Sequence, residues 1–229
     1  QSECLTDNTI FHIDEIIPTT ELDTLYSNNE LSADWATVSD SIFISFSSNE
    51  GLYNPITILL SDTLVNNDSQ GGKFWLANNV VEEMDPNGEI NFYFSFSDTA
   101  GNFSEVVIDN SLSSVAIDKS NPIITNLLVG ENNQNLSYFN KSDSLTLYWE
   151  HNDSLSGIKE VYFGLGSESN ITNIVDWTSS DGNNVAGLGG LNLINESIYY
   201  GGVFVRDSAG NYSDTIWNSG ITIDTQIPD

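Results

Sequence analysis

The sequence contains very little cysteine and very little positive charge. Among its 229 residues there is one cysteine, Cys4, and only 5 lysines and arginines accompany 33 aspartates and glutamates. A single cysteine excludes an intrachain disulfide and a cysteine-based zinc site, and we assign Cys4 no role. The formal net charge of −28 makes nucleic acid, itself a polyanion, an unfavourable partner. The same charge disfavours anionic membrane surfaces, and we expect like-charged copies of the chain to stay monomeric.

Long apolar runs and strong helix formers are also scarce. No run approaches the ~18–20 apolar residues that a membrane-spanning helix needs, so we expect no direct membrane insertion. Alanine occurs 7 times and methionine once, whereas asparagine, which favours turns over helices, occurs 28 times. Most of the apolar residues are β-branched or aromatic, and they often alternate with polar residues. The sequence therefore predicts an all-β protein.

Residues typical of catalysis are few. The chain has two histidines, His12 and His151, and it contains neither an HExxH nor a GxSxG motif. Carboxylate pairs are abundant, but in so acidic a chain a pair says little about glycosidase chemistry. We therefore predict that the chain is not an enzyme.

The chain does contain an internal repeat. The segment DTAGNFS begins at Asp98, and DSAGNYS begins at Asp207, 109 residues later. The pattern Ile-Asp-x-x-x-Pro occurs three times, at residues 13–18, 117–122 and 223–228. Because these markers recur in the same order at about one period, they indicate two homologous domains, residues 14–118 and 119–224, joined by short linkers.

Both ends of the sequence extend this pattern. Residues 7–14, DNTIFHID, resemble residues 218–224, NSGITID, which are predicted to form the last strand of a domain. We interpret residues 1–13 as the remnant of a preceding repeat or as an N-terminal tail, and residues 225–229 as the start of a further linker. The chain is then a piece of a longer tandem array. The alternative is a mature N-terminus that happens to resemble such a strand.

About seven short alternating strands per domain, separated by turn signals, are typical of a β-sandwich. In the first domain the predicted strands are residues 42–47, 55–61, 74–79, 90–97, 106–108 and 114–117, with an opening strand near 16–25. In the second domain they are residues 123–129, 145–150, 157–164, 171–177, 185–191, 198–206 and 215–223.

The order D-x-A-G-N-x-S, strand, I-D-x-x-x-P resembles the tandem bacterial immunoglobulin-like and fibronectin type III-like repeats of large cell-surface adhesin-type proteins. The second domain is more similar to fibronectin type III, since Leu193 and Tyr199 look like its tyrosine corner and Trp149 lies where such domains bury an aromatic residue. In the first domain Ile90 takes the place of Tyr199, and the turn DPNGE is more similar to the immunoglobulin-like repeats. The resemblance implies two antiparallel β-sandwich domains arranged end to end in an extracellular protein on a bacterial cell surface.

Carboxylates are predicted to gather at one pole of each domain, because immunoglobulin-type topology brings the incoming linker and two loops together there. Calcium takes about 6–8 oxygen ligands and would replace carboxylate repulsion with a rigid joint. Alternatively, the aspartates of the DxAGN segments only cap turns and the other carboxylates are solvated. The candidate calcium ligands are Asp118, Asp153, Asp207 and Asp85 at the pole between the domains, and Asp14, Glu50 and Asp98 at the pole of the first domain.

The aromatic residues leave two functions open. Trp149 and Phe46 are predicted to lie in the cores, whereas an exposed pair among the other tryptophans, Trp35, Trp75, Trp177 and Trp217, would stack on sugars. The first function is a non-catalytic spacer or adhesion module, with neighbouring repeats and a distal glycan or surface protein as partners. The alternative is a carbohydrate-binding or accessory module of a secreted enzyme. An exposed aromatic strip on one sheet face, absent from the other domain, would favour that alternative.

Overall fold

The computed structural model describes residues 13–60, 63–64, 67–69, 72–107 and 115–227. Every regular element within these residues is a β-strand, which confirms the predicted all-β class. No helix in the described part of the chain has the length and apolar character needed to cross a membrane. The chain forms two compact units, the first comprising Gln1–Asn28 and Val38–Ala116 and the second comprising Asn29–Thr37 and Ile117–Asp229.

The first unit contains two antiparallel sheets of four strands each. One sheet has the strand order β1-β3-β7-β6 and the other has the order β10-β9-β4-β5, while the short strands β8 and β11 adjoin each other. The short strand β2 belongs to the segment Asn29–Thr37, which groups with the second unit. The strands up to the second linker are β1 (Thr20–Ser27), β2 (Trp35–Ala36), β3 (Ser41–Ser48), β4 (Leu52–Leu60), β5 (Thr63–Leu64), β6 (Asn67–Ser69), β7 (Phe74–Val80), β8 (Gly88–Glu89), β9 (Phe92–Asp98), β10 (Phe103–Val107) and β11 (Ala116–Ile117).

Strict alternation along β3 and β9 builds the core of the first unit. On β9 the residues Phe92, Phe94 and Phe96 are buried, with partly exposed residues between them. Phe46 of β3 lies against Phe94 with the ring centroids 4.4 Å apart. The Trp75 ring stacks against Phe46 with the ring centroids 6.4 Å apart. A strand that buries every second side chain needs an apolar partner face, so the two sheets close on each other.

The second unit is a sandwich of a three-stranded and a six-stranded sheet. The first sheet has the order β12-β14-β17, and the second has the order β13-β20-β18-β15-β16 with β19 added against β18. All pairings are antiparallel except that of β13 with β20. The strands are β12 (Ile123–Gly130), β13 (Tyr138–Phe139), β14 (Ser144–Asn152), β15 (Ile158–Gly166), β16 (Val175–Ser179), β17 (Val185–Gly189), β18 (Ile198–Asp207), β19 (Ile216–Trp217) and β20 (Ile221–Ile223).

The core of the second unit contains the features expected of a fibronectin type III-like domain. Trp149 is 2% exposed and stacks on Phe163 at 5.9 Å between ring centroids. Tyr199 is 3% exposed, and its hydroxyl accepts a hydrogen bond of 2.9 Å from the backbone N–H of Ile194. A buried tyrosine whose hydroxyl bonds the backbone a few residues upstream is the arrangement of a tyrosine corner. The residues that carried the resemblance therefore occupy the positions that it implied.

Most predicted strands of the second unit agree with the structure to within two residues at each end, but two differ by more. Residues 215–223 form two short strands, β19 and β20, because Asn218 is buried there and its side chain accepts a hydrogen bond of 2.8 Å from Gly201 N–H. Gly220, at φ +95°, turns the chain between them. The strand predicted at 171–177 begins later, at Val175.

Some predictions for the first unit fall partly or wholly outside the described residues. The predicted strands 106–108 and 114–117 each include residues that the structure does not describe. The same holds for Cys4 and for most of the predicted leading strand at residues 7–14.

Candidate metal centres

Three aspartates of the second unit converge to form what we call the second carboxylate cluster, Asp118, Asp153 and Asp207. One carboxylate oxygen from each lies within 4.8 Å of the other two. Asp118 comes from the linker, Asp153 follows β14, and Asp207 ends β18. Asp118 and Asp207 are both 0% exposed. Burial of two carboxylates side by side is costly unless hydrogen bonds or a cation compensate their charge.

Asp207 is held by the turn that it begins. Its Oδ1 accepts a hydrogen bond of 2.8 Å from Asn211 N–H, and its Oδ2 accepts one of 2.8 Å from the Asn211 side-chain amide. Gly210, at φ +98°, supplies the left-handed residue that lets the chain turn back toward Asp207. The Asn211 amide also donates to the backbone carbonyl of Asp118 at 2.9 Å. Asn211 therefore joins the turn to the linker.

The other two carboxylates are held mainly by backbone donors. Asp118 accepts hydrogen bonds from Ser120 N–H at 2.9 Å and from Ser156 N–H at 3.0 Å. Asp153 Oδ2 accepts from Leu155 N–H at 3.0 Å and from Gly157 N–H at 2.7 Å. The second oxygen, Asp153 Oδ1, is buried and has no hydrogen-bond partner among the described residues. A buried carboxylate oxygen without a donor is uncommon and calls for an ion or a water molecule.

The segment Asn29–Thr37 packs on the turn that carries Asp207. The Asn29 amide donates to the Ala209 carbonyl at 2.7 Å, and the Thr37 hydroxyl donates to Asn211 Oδ1 at 2.7 Å. The Ala36 carbonyl accepts a hydrogen bond of 2.9 Å from Asp118 N–H. These contacts help to bury the second carboxylate cluster and to fix the Asn211 amide in one orientation.

The first unit contains a corresponding group, the first carboxylate cluster, Asp14, Glu50 and Asp98. One oxygen from each again lies within 4.8 Å of the other two. Asp98 Oδ1 accepts three backbone hydrogen bonds of 2.7–2.9 Å, and its Oδ2 accepts one of 2.7 Å from the Asn102 amide. The Asn102 amide donates to the Asp14 carbonyl at 3.0 Å, as Asn211 does to Asp118. Asp98 is 2% exposed, but Asp14 is exposed and Glu50 is partly exposed.

The two homologous aspartates differ in pKa. Burial raises the pKa of the Asp98 carboxyl, but the hydrogen bonds from Asn102, Gly101 and Ala100 outweigh it and hold that pKa below its ordinary value. Burial also raises the pKa of Asp207; the bonds from Asn211 only partly oppose it, and the charge of Asp118 adds to the increase. The carboxylate form is therefore favoured at Asp98 and disfavoured at Asp207.

The remaining predicted ligand, Asp85, belongs to neither carboxylate cluster. Its carboxylate accepts a hydrogen bond of 2.8 Å from Glu82 N–H and so caps its own turn.

Two features of the sites are not evident from residue types alone. The bridging amides of Asn102 and Asn211 can be recognised only as the last polar residue of each DxAGN segment. The segment Asn29–Thr37 carries no motif that predicts its contacts.

Comparison with known proteins bears on the fold. No family model and no curated protein matches the sequence. Among solved structures, titin domains A168–A170 match at a TM-score of 0.52 and 17% identity, over 91% of this chain and 67% of that chain. The chain therefore has the fold of tandem immunoglobulin-like and fibronectin type III-like domains.

Two further solved structures are similar at a lower level. The FN1–FN3 domains of chicken CNTN1 match at a TM-score of 0.37 and 13% identity, over 82% of this chain and 65% of that chain. A structure described as a Ca²⁺-stabilized adhesin that helps an Antarctic bacterium bind ice matches at a TM-score of 0.49 and 13% identity, over 88% of this chain. The chain spans 48% of the length of that adhesin structure.

Proposed function

We propose that the chain is a non-catalytic spacer or adhesion module of an extracellular tandem-repeat protein at a bacterial surface, with calcium bound at both carboxylate clusters. The observation that carries the calcium proposal is the buried Asp153 Oδ1, which has no hydrogen-bond partner among the described residues and belongs to a cluster with two fully buried carboxylates. Calcium prefers carboxylate and carbonyl oxygens, so this set of donors suits it.

Calcium would remove the electrostatic repulsion among the three aspartates of the second carboxylate cluster. Carboxylate oxygens of the three aspartates lie within 4.8 Å of one another. Two unit charges at such a distance repel by roughly 3–4 kcal/mol at an effective dielectric constant of about 20. A divalent cation would turn this repulsion into attraction. Because Asp118 is a linker residue, the ion would also fasten the linker to the loops of Asp153 and Asp207.

Turn capping is the competing explanation, and it accounts better for the first carboxylate cluster. All four donors to Asp98 come from its own DTAGN turn, and Asp14 is exposed to water. Such a carboxylate is stable without a cation. We therefore propose that calcium binds more tightly at the second cluster than at the first.

The spacer role rests on the repeat and its linkers. The Ile-Asp-x-x-x-Pro pattern occurs at residues 13–18, 117–122 and 223–228, and the aspartates of its first two copies, Asp14 and Asp118, are members of the carboxylate clusters. A calcium-loaded linker would be stiff, which is what a chain of modules needs in order to hold a distal binding region away from a cell. Proline in each linker adds stiffness by fixing its own φ angle.

Calorimetry on the whole chain tests the proposal. Isothermal titration with calcium should show one ion per cluster, with dissociation constants near 10⁻⁴–10⁻³ M, as in other extracellular modules. At 100 times the dissociation constant, binding to the folded state alone adds about 2.7 kcal/mol to the free energy of unfolding. Asp207→Ala should remove binding at the second cluster, whereas the control Asp85→Ala should leave it unchanged.

Two results would contradict the proposal. If the wild-type chain takes up no calcium and melts identically in millimolar calcium and in chelator, the carboxylates only cap turns. If calcium binds but small-angle scattering in calcium and in chelator gives the same distribution of dimensions, the ion stabilises a domain without stiffening a joint.

A further inference from the structure

Five aromatic side chains form a continuous strip on the outer face of the larger sheet of the second unit. We call Tyr162, Trp177, Phe204, Tyr212 and Trp217 the aromatic strip. Phe204 lies at its centre, 4.9 Å from Tyr162, 4.9 Å from Trp177 and 6.2 Å from Tyr212 between ring centroids. Trp217 extends the strip beyond Trp177 at 5.7 Å. Tyr162 and Phe204 alternate with the buried core residues of β15 and β18, so they lie on the side of the sheet that faces away from the core. The other three rings lie on the same side, because they contact Phe204 or one another there.

Two glycines make room for the indole rings. Gly164 and Gly202 are direct cross-strand partners on β15 and β18. A Cβ atom at Gly202 would lie 3.0 Å from both indoles, and one at Gly164 would lie 3.2 Å from Trp177. Glycine weakens a strand interior and often marks a place where another group approaches closely. Because these positions carry no side chain, the indole rings of Trp177 and Trp217 pack directly on the backbone of the sheet.

The fold itself does not require this strip. Strand β9 of the first unit is equivalent to β18 of the second unit, because Asp98 and Asp207 end them in the same way. Ser95 and Ser97 of β9 stand at the positions of Phe204 and Arg206, three and one residues before those aspartates. The same face of β9 also carries Tyr93, but the first unit closes its sandwich with a serine at the position of Phe204. Phe204, the centre of the strip, is thus an addition to the fold.

Polar groups border one end of the strip. Arg206 lies over the Tyr212 ring at 5.0 Å and pairs with Glu160 at 3.7 Å. Burial and the charge of the nearby Glu160 carboxylate raise the pKa of the Tyr162 hydroxyl. A hydroxyl-rich ligand needs an aromatic surface for its C–H groups and hydrogen-bonding side chains for its hydroxyls, and Arg206, Glu160 and Tyr162 are such side chains.

The size of the strip indicates a small or narrow ligand. Trp177 is 37% exposed and Tyr212 is 49% exposed, while the other three rings are half-buried. Because an aromatic side chain presents about 150–250 Å², the five rings together expose less than about 500 Å². A stable protein–protein interface needs roughly 800 Å² from each partner. The strip is therefore too small for a globular partner, and a single saccharide chain would fit it.

We propose that the aromatic strip of the second unit binds neutral saccharide chains by stacking on Trp177 and Tyr212. The axial C–H groups of a pyranose ring carry partial positive charge and are attracted to the negative face of an aromatic ring. A neutral sugar also avoids the repulsion that an acidic ligand would meet at a chain of net charge −28. This proposal is independent of calcium binding at the carboxylate clusters.

Affinity electrophoresis of the whole chain in gels that contain xylan, mannan, dextran or hydroxyethyl cellulose tests the proposal. At least one of these polysaccharides should retard the wild-type chain. Trp177→Ala and Tyr212→Ala should each weaken the interaction about tenfold or more, because each removes a stacking surface. Tyr138→Ala is the matched control, since Tyr138 is 67% exposed in the same unit but is not part of the strip. Thermal melting identifies any variant that loses its fold, and Tyr212, as the more exposed ring, is the safer substitution.

Three results would overturn the proposal. The first is that none of the polysaccharides retards the wild-type chain. The second is that folded Trp177→Ala and Tyr212→Ala bind as the wild type does. The third is that Tyr138→Ala weakens binding as much as they do. Repeating the gels with a chelator separates this proposal from the calcium proposal. Retardation that persists in chelator supports stacking on the strip, and retardation that is lost in chelator shows that calcium, not the rings, mediates binding.

Discussion

The two carboxylate clusters have the same hydrogen-bonding plan but a different electrostatic balance. In both, the asparagine of a DxAGN turn donates to the aspartate that begins the turn and to the carbonyl of the linker aspartate. In the first unit the linker aspartate, Asp14, is exposed, whereas in the second unit Asp118 is 0% exposed. The repeated sequence therefore specifies the turn, and the burial of the linker decides whether the turn carries uncompensated charge.

Burial of the second carboxylate cluster comes from residues outside the repeat motif. Ala36 accepts a hydrogen bond from Asp118, and Thr37 donates to Asn211. Both belong to the segment Asn29–Thr37, which precedes Asp118 by about 80 residues and the DSAGN turn by about 170 residues in the sequence. A homologous turn can therefore become part of a more deeply buried carboxylate cluster without any change in its own residues.

The largest expected effect is the loss of calcium-dependent stability on removal of a linker aspartate. Asp118→Ala should abolish the calcium-induced increase of about 2.7 kcal/mol in the unfolding free energy of the second unit, measured by calorimetry at 100 times the dissociation constant. Asp14→Ala should reduce the effect in the first unit by less, because water already solvates Asp14. Equal losses at the two positions would contradict a role for burial.

The next effect concerns the bridging amides. Asn211→Ala removes donors to the Asp207 carboxylate and to the Asp118 carbonyl, and it leaves both acceptors in a buried site. Hydrogen bonds to charged groups contribute about 1.5–3 kcal/mol each, so we expect a destabilisation of about 2–3 kcal/mol in chelator. The matched variant Asn102→Ala should cost less, because the Asp14 end of its bridge is exposed. Urea unfolding curves of both variants measure the difference, and a larger loss in Asn102→Ala would reverse the comparison.

A smaller difference is expected at the tyrosine corner. Tyr199→Phe removes the acceptor of the Ile194 N–H and should lower the unfolding free energy of the second unit by about 1 kcal/mol. The first unit should melt unchanged in this variant, because the substitution lies in the second unit and the first unit has the buried Ile90 at the equivalent position. Unchanged melting of both units would mean that the corner contributes only packing.

How much could be predicted from the sequence differs between the motifs and their surroundings. Local alternation and turn residues identify β3, β9, β14 and β18, because each buries every second side chain against the opposite sheet. The broken strand at Asn218 could not be predicted, since a buried side-chain hydrogen bond to another strand interrupts an otherwise regular pattern. Of the aromatic strip, only Trp177 and Trp217 are candidates from the sequence, as an alternative to core burial, because sequence alone does not say which sheet face they lie on.

The carboxylate clusters illustrate the same division. Immunoglobulin-type topology places a linker and two loops at one pole, and this placement led to the two sets of carboxylates that lie within 4.8 Å of one another in the structure. That these residues bind calcium stays a prediction. Asp85 could not be excluded in advance, because its hydrogen bond to Glu82 N–H depends on the local shape of the DPNG turn.

The smallest expected effect is a difference in pH dependence in the presence of a chelator. The pKa of Asp98 is lowered in the folded state, so its ionisation stabilises the first unit above the ordinary value of 3.8, and this stability is lost as the pH falls through the folded-state pKa. The pKa of Asp207 is raised, chiefly by burial and further by the charge of Asp118, so its ionisation opposes folding. The second unit should therefore gain stability from this group as the pH falls through the raised pKa toward the ordinary value of 3.8. Thermal melting of wild type, Asp98→Asn and Asp207→Asn between about pH 3 and pH 7 measures both signs. Millimolar calcium should reverse the trend of the second unit, because protons then compete with the ion for Asp207. A gain that is the same in Asp207→Asn as in the wild type would assign the titration to another group.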